Sequence, residues 1–363
     1  MKALLIDRVT KRFGKLTALD EVTLGVNEGE FFCVVGPSNA GKSTLLKTIA
    51  GLHRPESGTI SILGRNVTPL EPKDRRVSLL FQNIALFPNL TGFENIAFPL
   101  ATARVAEKEI KQRVSRIAEM LGVTHLLSRY PRTYSGGEQQ RVAIGRAIVM
   151  QSDVLMLDEP LSNLDARIRI AVRLEFKKLR REMAKGVLYV THDQIEAMSL
   201  SDRIAVLHQG RIQQIGTPDE IFHFPANRVV AKLFGTPPMN IIPARISGGS
   251  DGPHLIGEGF SISVPEVKTL ARHPNLPEQL ELGVPPERIR VATRQSPDTP
   301  FSCHVLWVEH LGSKSILDVK LGQTIVKAVV AHDHPVHGEG PAWLGFSPDP
   351  RHLIDRESGQ FLR

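Results

Sequence analysis

The sequence predicts an α/β protein with a mainly parallel sheet, followed by a small all-β domain. Three observations carry this. Short apolar runs, Phe31–Val35, Val154–Leu157 and Val187–Val190, are wholly hydrophobic, as strands buried on both faces must be. Stretches of helical period separate them, which implies crossover connections. From Thr236-Pro237-Pro238 onward Pro and Gly become frequent and alternation replaces helical period, as in Lys327-Ala328-Val329-Val330.

The elements follow in order. Residues 1–30 alternate polar and apolar around turn signals such as Gly25 to Gly29, which predicts an antiparallel strand pair. The strand at 31–35 runs into Gly36-Pro37-Ser38-Asn39-Ala40-Gly41-Lys42-Ser43-Thr44, which fits Gly, four residues, Gly-Lys-Ser/Thr. Gly36 and Gly41 let the backbone curl so that N–H groups converge on an anion. Lys42 supplies a point charge for phosphates, and the Ser43 hydroxyl can meet Mg²⁺. Leu45, Leu46, Ile49 and Leu52 then keep helical spacing, so a helix N-terminus faces the anion.

A further strand at Val77–Phe81 ends at Gln82. Residues 91–150 are mostly helical in period, with interruptions expected at Pro99, Gly122 and Pro131. Ser135-Gly136-Gly137 opens a helix to about Met150, with Ser135 as N-cap and bare N–H groups beside it as a second anion site. Asp158 and Glu159 end an apolar strand. There one carboxylate can hold Mg²⁺ and its neighbour can take a proton from water. The next helix carries Ile168, Val172, Phe176, Leu179 and Met183 on one stripe. Its basic residues, Arg167 to Arg181, read as a solvent face. The third buried strand ends at Thr191-His192-Asp193, and a hairpin follows around His208-Gln209-Gly210.

The chain has 363 residues and 41% hydrophobic content, enough for two or three domains. Two distant cysteines, Cys33 and Cys303, support no disulfide framework. Met1–Asp7 meets charge too early for a secretory leader, and no apolar run nears the ~20 residues that span a bilayer. A soluble chain is therefore expected. Net charge is +7 and the pI about 9.5, which permits anionic partners without requiring them. His332, Asp333, His334 and His337 read as a solvated loop rather than a metal site.

The phosphate loop, Gln82, Tyr-Ser-Gly-Gly-Glu-Gln-Gln-Arg at 134–141, Leu-Asp-Glu-Pro-Leu-Ser-Asn-Leu-Asp at 157–165 and Thr-His-Asp at 191–193 together resemble the ABC ATPase set, in order. The remainder resembles the TOBE-type domain of sugar and glycerol-phosphate importers. The matching pieces are Pro238-Met239-Asn240, Pro286-Glu287-Arg288, Val308–Gly312 and Trp343–Phe346. The resemblance implies a RecA-like ATPase core over 1–235, with a helical subdomain inserted at about 86–153. An OB/TOBE-like regulatory or dimerisation domain over 236–363 would follow.

It further implies two subunits, identical or related, closing head to tail around two ATP molecules. The loop at 36–44 of one copy and Ser135 to Gly137 of the other would hold one γ-phosphate. Asp158 and Ser43 would serve Mg²⁺, with Gln82 sensing metal and water. Glu159 would position or deprotonate the water, and His192 would contact the γ-phosphate. The Ser162–Asp165 turn would couple the two sites, and Phe13 would stack on adenine. Residues 83–100, with Phe87 and Phe93, would meet a cytoplasmic helix of a membrane permease. The expected whole is two ATPase subunits, two permease subunits and an extracytoplasmic solute-binding protein, with this chain peripheral on the cytoplasmic face of the inner membrane. A sugar, polyol or glycerol phosphate leads as cargo, with polyamine, iron, sulfate and thiamine as alternatives; no nucleic-acid partner is expected. Three departures from the family pattern stand out: Asn39-Ala40, Tyr134 and Glu138.

Overall fold

A computed structural model describes residues 1–82, 86–150, 152–162, 164, 166–179, 186–249, 252–263, 279–347 and 352–362. They divide into two compact units, Met1–Ile221 and Phe222–Arg363. By packing, residues 222–235 go with the second unit.

The first unit runs β1 (Lys2–Phe13), β2 (Leu16–Asn27), β3 (Phe31–Val35), α1 (Lys42–Ile49), β4 (Ser57–Ile62), β5 (Arg65–Asn66), β6 (Val77–Leu80), α2 (Gly92–Thr102), α3 (Glu107–Met120), α4 (Gly136–Ile148), β7 (Val154–Asp158), α5 (Ala166–Leu179), β8 (Gly186–Thr191), α6 (Gln194–Leu200), β9 (Arg203–His208) and β10 (Arg211–Gly216). One sheet is antiparallel, in the order β2-β1-β4-β5. The other, β10-β9-β3-β8-β7-β6, is parallel except at its β10 edge. Every residue of β3, β7 and β8 is buried, which is why these runs carry no polar alternation.

Helix α1 joins the two sheets. Leu45, Leu46 and Ile49 share one core with Leu4, Ile6 and Ile60 from the antiparallel sheet and with Phe32, Val34 and Val190 from the parallel one. The start of the helix is thereby fixed against the ends of β3 and β7. Its far end is held by Arg75, which is only 3% exposed. The Arg75 guanidinium donates from Nη1 to the carbonyls of Thr48 and Ile49, from Nε to Leu70 and from Nη2 to Thr68, all within 3.0 Å. A cation at a helix C-terminus also complements the dipole. Arg75→Met should lower the urea-unfolding free energy by about 3 kcal/mol, since four carbonyls, those of Thr48 and Ile49 buried, lose a charged donor; an unchanged midpoint would contradict this role.

The inserted helices α2, α3 and α4 pack together through Ile96, Leu100, Val114, Ile117 and Ile144. The expected interruption at Pro99 is not found: α2 runs through it to Thr102. Pro99 lies in the last turn, so one missing hydrogen bond is outweighed by burial of Ile96 and Leu100 on either side. Gly122 does end α3, with φ +64.

In the second unit the described strands are all antiparallel. One sheet has the order 260–263, 252–257, 240–249, 280–284, 352–355, 361–362; the other, 289–292, 340–346, 301–311, 314–321, 324–331. Ile242, Leu282, Val305, Leu317 and Leu344 fill the core between them. Asn240 ties the sheets together: its Nδ2 donates to the Val284 and Lys327 carbonyls, and its Oδ1 accepts from Lys327 N–H at 2.7 Å.

Candidate active site

The phosphate loop is set by contacts on its outer side as much as by its own turns. A Cβ on Gly36 would lie 2.1 Å from the Leu207 carbonyl oxygen of β9, so close approach of two backbones excludes any side chain there. Gly41 has φ +106, and a Cβ would come within 2.5 Å of the Ala18 carbonyl. Asn39 has φ +66, a left-handed conformation that Asn adopts more readily than most residues. The Asn39-Ala40 departure therefore keeps the turn: Ala40 N–H donates to the Pro37 carbonyl at 3.2 Å. Pro37, Ser38 and Asn39 are exposed, while Lys42 is buried.

Lys42 Nζ donates to the Gly36 and Pro37 carbonyls at 2.9 and 3.0 Å and lies 3.7 Å from Glu159 Oε1. Burial lowers its pKa, while Glu159 and Asp158 act the other way. Asp158, at the end of β7, is buried and accepts from the Ser43 hydroxyl. Its Oδ1 has no hydrogen-bond partner. Burial raises its pKa, and the Ser43 bond opposes the rise. A buried carboxylate oxygen without a donor, beside a serine hydroxyl, is the oxygen donor set that a hard divalent cation takes.

Glu159 is the meeting point. Gln82 Nε2 donates to its Oε2 at 2.9 Å, and His192 Nδ1 lies 3.0 Å from the same oxygen. Its backbone is held at φ +46, with its N–H on the Val190 carbonyl and its own carbonyl accepting from Ser162 N–H and Oγ–H. Lys42, Gln82 and His192 are thus gathered from α1, the end of β6 and the end of β8 onto one carboxylate.

A cavity of about 580 Å³ opens beside Lys42, Ser43 and Thr44. Phe13 stands at its rim, 43% exposed, rather than in the core. His53 meets the Phe13 ring edge-on at 5.2 Å, and Lys11 Nζ lies 5.2 Å from its centroid. Leu16, Thr17, Ala18, Gln209 and Gly210 complete the wall. Sequence reading missed these five because they contribute shape from two hairpins, with no motif to mark them.

Ser135, Gly136 and Gly137 do not line that cavity. Ser135 caps α4 in a reciprocal box with Glu138: Ser135 Oγ accepts from Glu138 N–H, and Glu138 Oε2 accepts from Ser135 N–H at 2.7 Å. The Ser135 N–H, then His125 and the Ser135 hydroxyl, hold the Glu138 carboxyl down at about 2. The Glu138 departure is therefore a capping residue. Tyr134 is buried, its hydroxyl between the Leu126 and Arg129 carbonyls at 2.9 and 2.7 Å, which braces the turn before α4. Gln140 of α4 donates to the Pro160 carbonyl, joining that helix to the end of β7. A Cβ on Gly136 would meet nothing within 4 Å.

Asp165 lies outside the described residues, as do Asn163, Arg181 and Met183. The expectation that the basic residues of α5 form a solvent face fails at Arg169. Its Nη2 donates to the Leu164 carbonyl at 3.1 Å, and its Nη1 lies 3.5 Å from Asp193 Oδ2. Charge on a helix says nothing of a carbonyl and a carboxylate brought up from elsewhere.

The model of the ABC transporter family matches residues 19–162, and that of the TOBE domain matches 282–354. The sn-glycerol-3-phosphate import ATP-binding protein of Pectobacterium atrosepticum is 42% identical over 361 residues, covering 99% of each chain. The chain belongs to the ABC transporter ATP-binding subunits. The trehalose/maltose import ATP-binding protein of Thermococcus litoralis is 40% identical to this ABC ATPase over 369 residues, covering 99% of this chain and 98% of the relative. Among solved structures, the dimeric ATP-binding cassette MJ0796 in a post-hydrolysis state with ADP and Pi aligns with a TM-score of 0.55 and 31% identity, covering 59% of this chain and 98% of the other. Among the described residues of this ABC ATPase, no helix is long and apolar enough to cross a membrane.

Proposed function

We propose that this ABC ATPase drives import of a small solute, a sugar, polyol or glycerol phosphate, through separate permease subunits from the cytoplasmic face of the membrane. The cargo class rests on what its relatives are named to import, glycerol 3-phosphate in one case and trehalose or maltose in another. A solute-binding protein on the opposite face completes the importer.

The observation that carries the chemistry is the convergence of Lys42, Gln82 and His192 on Glu159, beside the unpartnered oxygen of Asp158. Lys42 and the N–H groups of residues 41–44 cradle the phosphates of ATP. Phe13 receives the adenine at the cavity rim. Asp158 and Ser43 hold Mg²⁺, which when bound neutralises charge on the β- and γ-phosphates. Glu159 orients water and takes its proton as the water oxygen bonds to the γ-phosphorus and the bond to ADP breaks. Gln82 and His192 fix the carboxylate for that step, and His192 faces the γ-phosphate. Ser135 to Gly137 of a second subunit close over the same phosphate. Asp165 takes part in coupling the paired sites.

A second surface suits the permease. Phe81, Phe87, Phe98 and Pro99 line an apolar cleft of about 440 Å³, with Arg146 at 5.2 Å over the Phe87 ring. All three phenylalanines are exposed, and an exposed apolar cleft of this kind takes an amphipathic helix. Co-expressed with its permease subunits, the chain should co-purify from detergent-solubilised membranes. Phe98→Asp should cut that recovery about tenfold without changing ATP affinity. Recovery with ribosomes or DNA instead of membrane proteins would overturn the reading.

A further inference from the structure

His192 presents a side chain that is 58% exposed, so little packing holds the imidazole and its aim depends on its backbone. That backbone lies between the end of β8 at Thr191 and the start of α6 at Gln194, beyond the last ladder position of the sheet. It is fastened from the buried side. Tyr189, Thr191 and Glu196 are all buried. The hydroxyls of Tyr189 and Thr191 both donate to Glu196 Oε2, at 2.7 and 2.8 Å. The Thr191 oxygen in turn accepts the Asp193 N–H at 2.9 Å. Both neighbours of His192 are therefore tied to one hydrogen-bonded chain that ends on Glu196.

Asp193 is secured a second time. Its Oδ1 accepts from Ile195 N–H and Glu196 N–H at 2.7 and 3.2 Å, and its Oδ2 lies 3.5 Å from Arg169. A buried carboxylate is costly, and an apolar side chain of like size would fill the same space at no such cost. What an apolar residue cannot supply is an acceptor for two hydroxyls at once. Burial raises the Glu196 pKa, while the two hydroxyls and Arg169 act against it.

We propose that Glu196 is a positioning residue: through Thr191 it fixes the backbone at His192, and so the direction in which the imidazole meets Glu159 and the γ-phosphate. This rests on the role given to His192 above. It differs from a stability role because its effect passes through one side chain.

Thr191→Val is nearly isosteric and removes both the donor to Glu196 and the acceptor for Asp193. It should lower kcat about tenfold and leave KM for ATP within about twofold. Glu196→Gln keeps an acceptor oxygen and should retain most of the turnover that Glu196→Ala loses. Thr191→Val combined with His192→Ala should be no slower than His192→Ala alone, because both act through the same imidazole. In nucleotide-free protein the ring ¹⁵N signals of His192 should shift in Thr191→Val and stay in place in Glu196→Gln. Losses that multiply in the double variant, or a nucleotide affinity that falls in step with kcat, would overturn the proposal. Wild-type turnover in Thr191→Val beside an impaired His192→Ala would overturn it alone. Wild-type turnover in His192→Ala would overturn the reading of His192 and this proposal with it.

Discussion

Glu159→Gln should reduce ATP turnover by about three orders of magnitude while ATP still binds. The two side chains have nearly the same volume, and the amide keeps an oxygen for Gln82 and His192, each now within 3.0 Å of Oε2. The change removes only the capacity to accept a proton and a negative charge 3.7 Å from Lys42. Loss of that charge leaves Lys42 freer to meet phosphate, so ATP affinity should hold or rise. Phosphate release under saturating ATP measures the first effect and titration with a fluorescent ATP analogue the second. Retained turnover with normal binding would remove Glu159 from the reaction.

Gly136→Asp should lower turnover at least about a hundredfold with no loss of fold. Room for the side chain exists, since a Cβ at 136 meets nothing within 4 Å, and an acid in the first turn of α4 suits the helix dipole. Among the described residues nothing explains why this position is bare. In the proposed pairing a phosphate from a second subunit would come up to it, and a carboxylate would repel that phosphate. The unfolding midpoint and the affinity of the Lys42 loop for ATP should both match wild type. Gly36 makes the contrast: there a Cβ would strike the Leu207 carbonyl, so glycine is required by the chain itself. Undiminished turnover in Gly136→Asp would show that the open face of α4 has no part in the reaction.

The parts of this architecture that phosphate chemistry dictates could be read from residues alone. An anion needs converging backbone donors, so the loop at 36–44 had to be glycine-bearing and followed by a helix. A carboxylate at the mouth of a buried strand had to be polar in an apolar run, which exposed Asp158 and Glu159. The rest depends on what distant segments bring up. The Ala18 and Leu207 carbonyls shape the loop through their backbones, and any side chain could have carried them. Arg169 looked like a surface charge until Leu164 and Asp193 were placed against it. Pro99 looked like a break because local rules weigh one lost hydrogen bond and not the packing of Ile96 and Leu100. Glu138 departs from the family pattern in sequence, and its partners, Ser135 in the capping box and His125, appear only in the fold.

In the proposed dimer each ATP is held between Lys42 of one subunit and Ser135 to Gly137 of another. Turnover per chain, measured across a dilution series with light scattering in parallel, tests it most directly. Turnover per chain should fall toward zero as the assembly dissociates to monomer. Constant turnover per chain in strictly monomeric protein would contradict it.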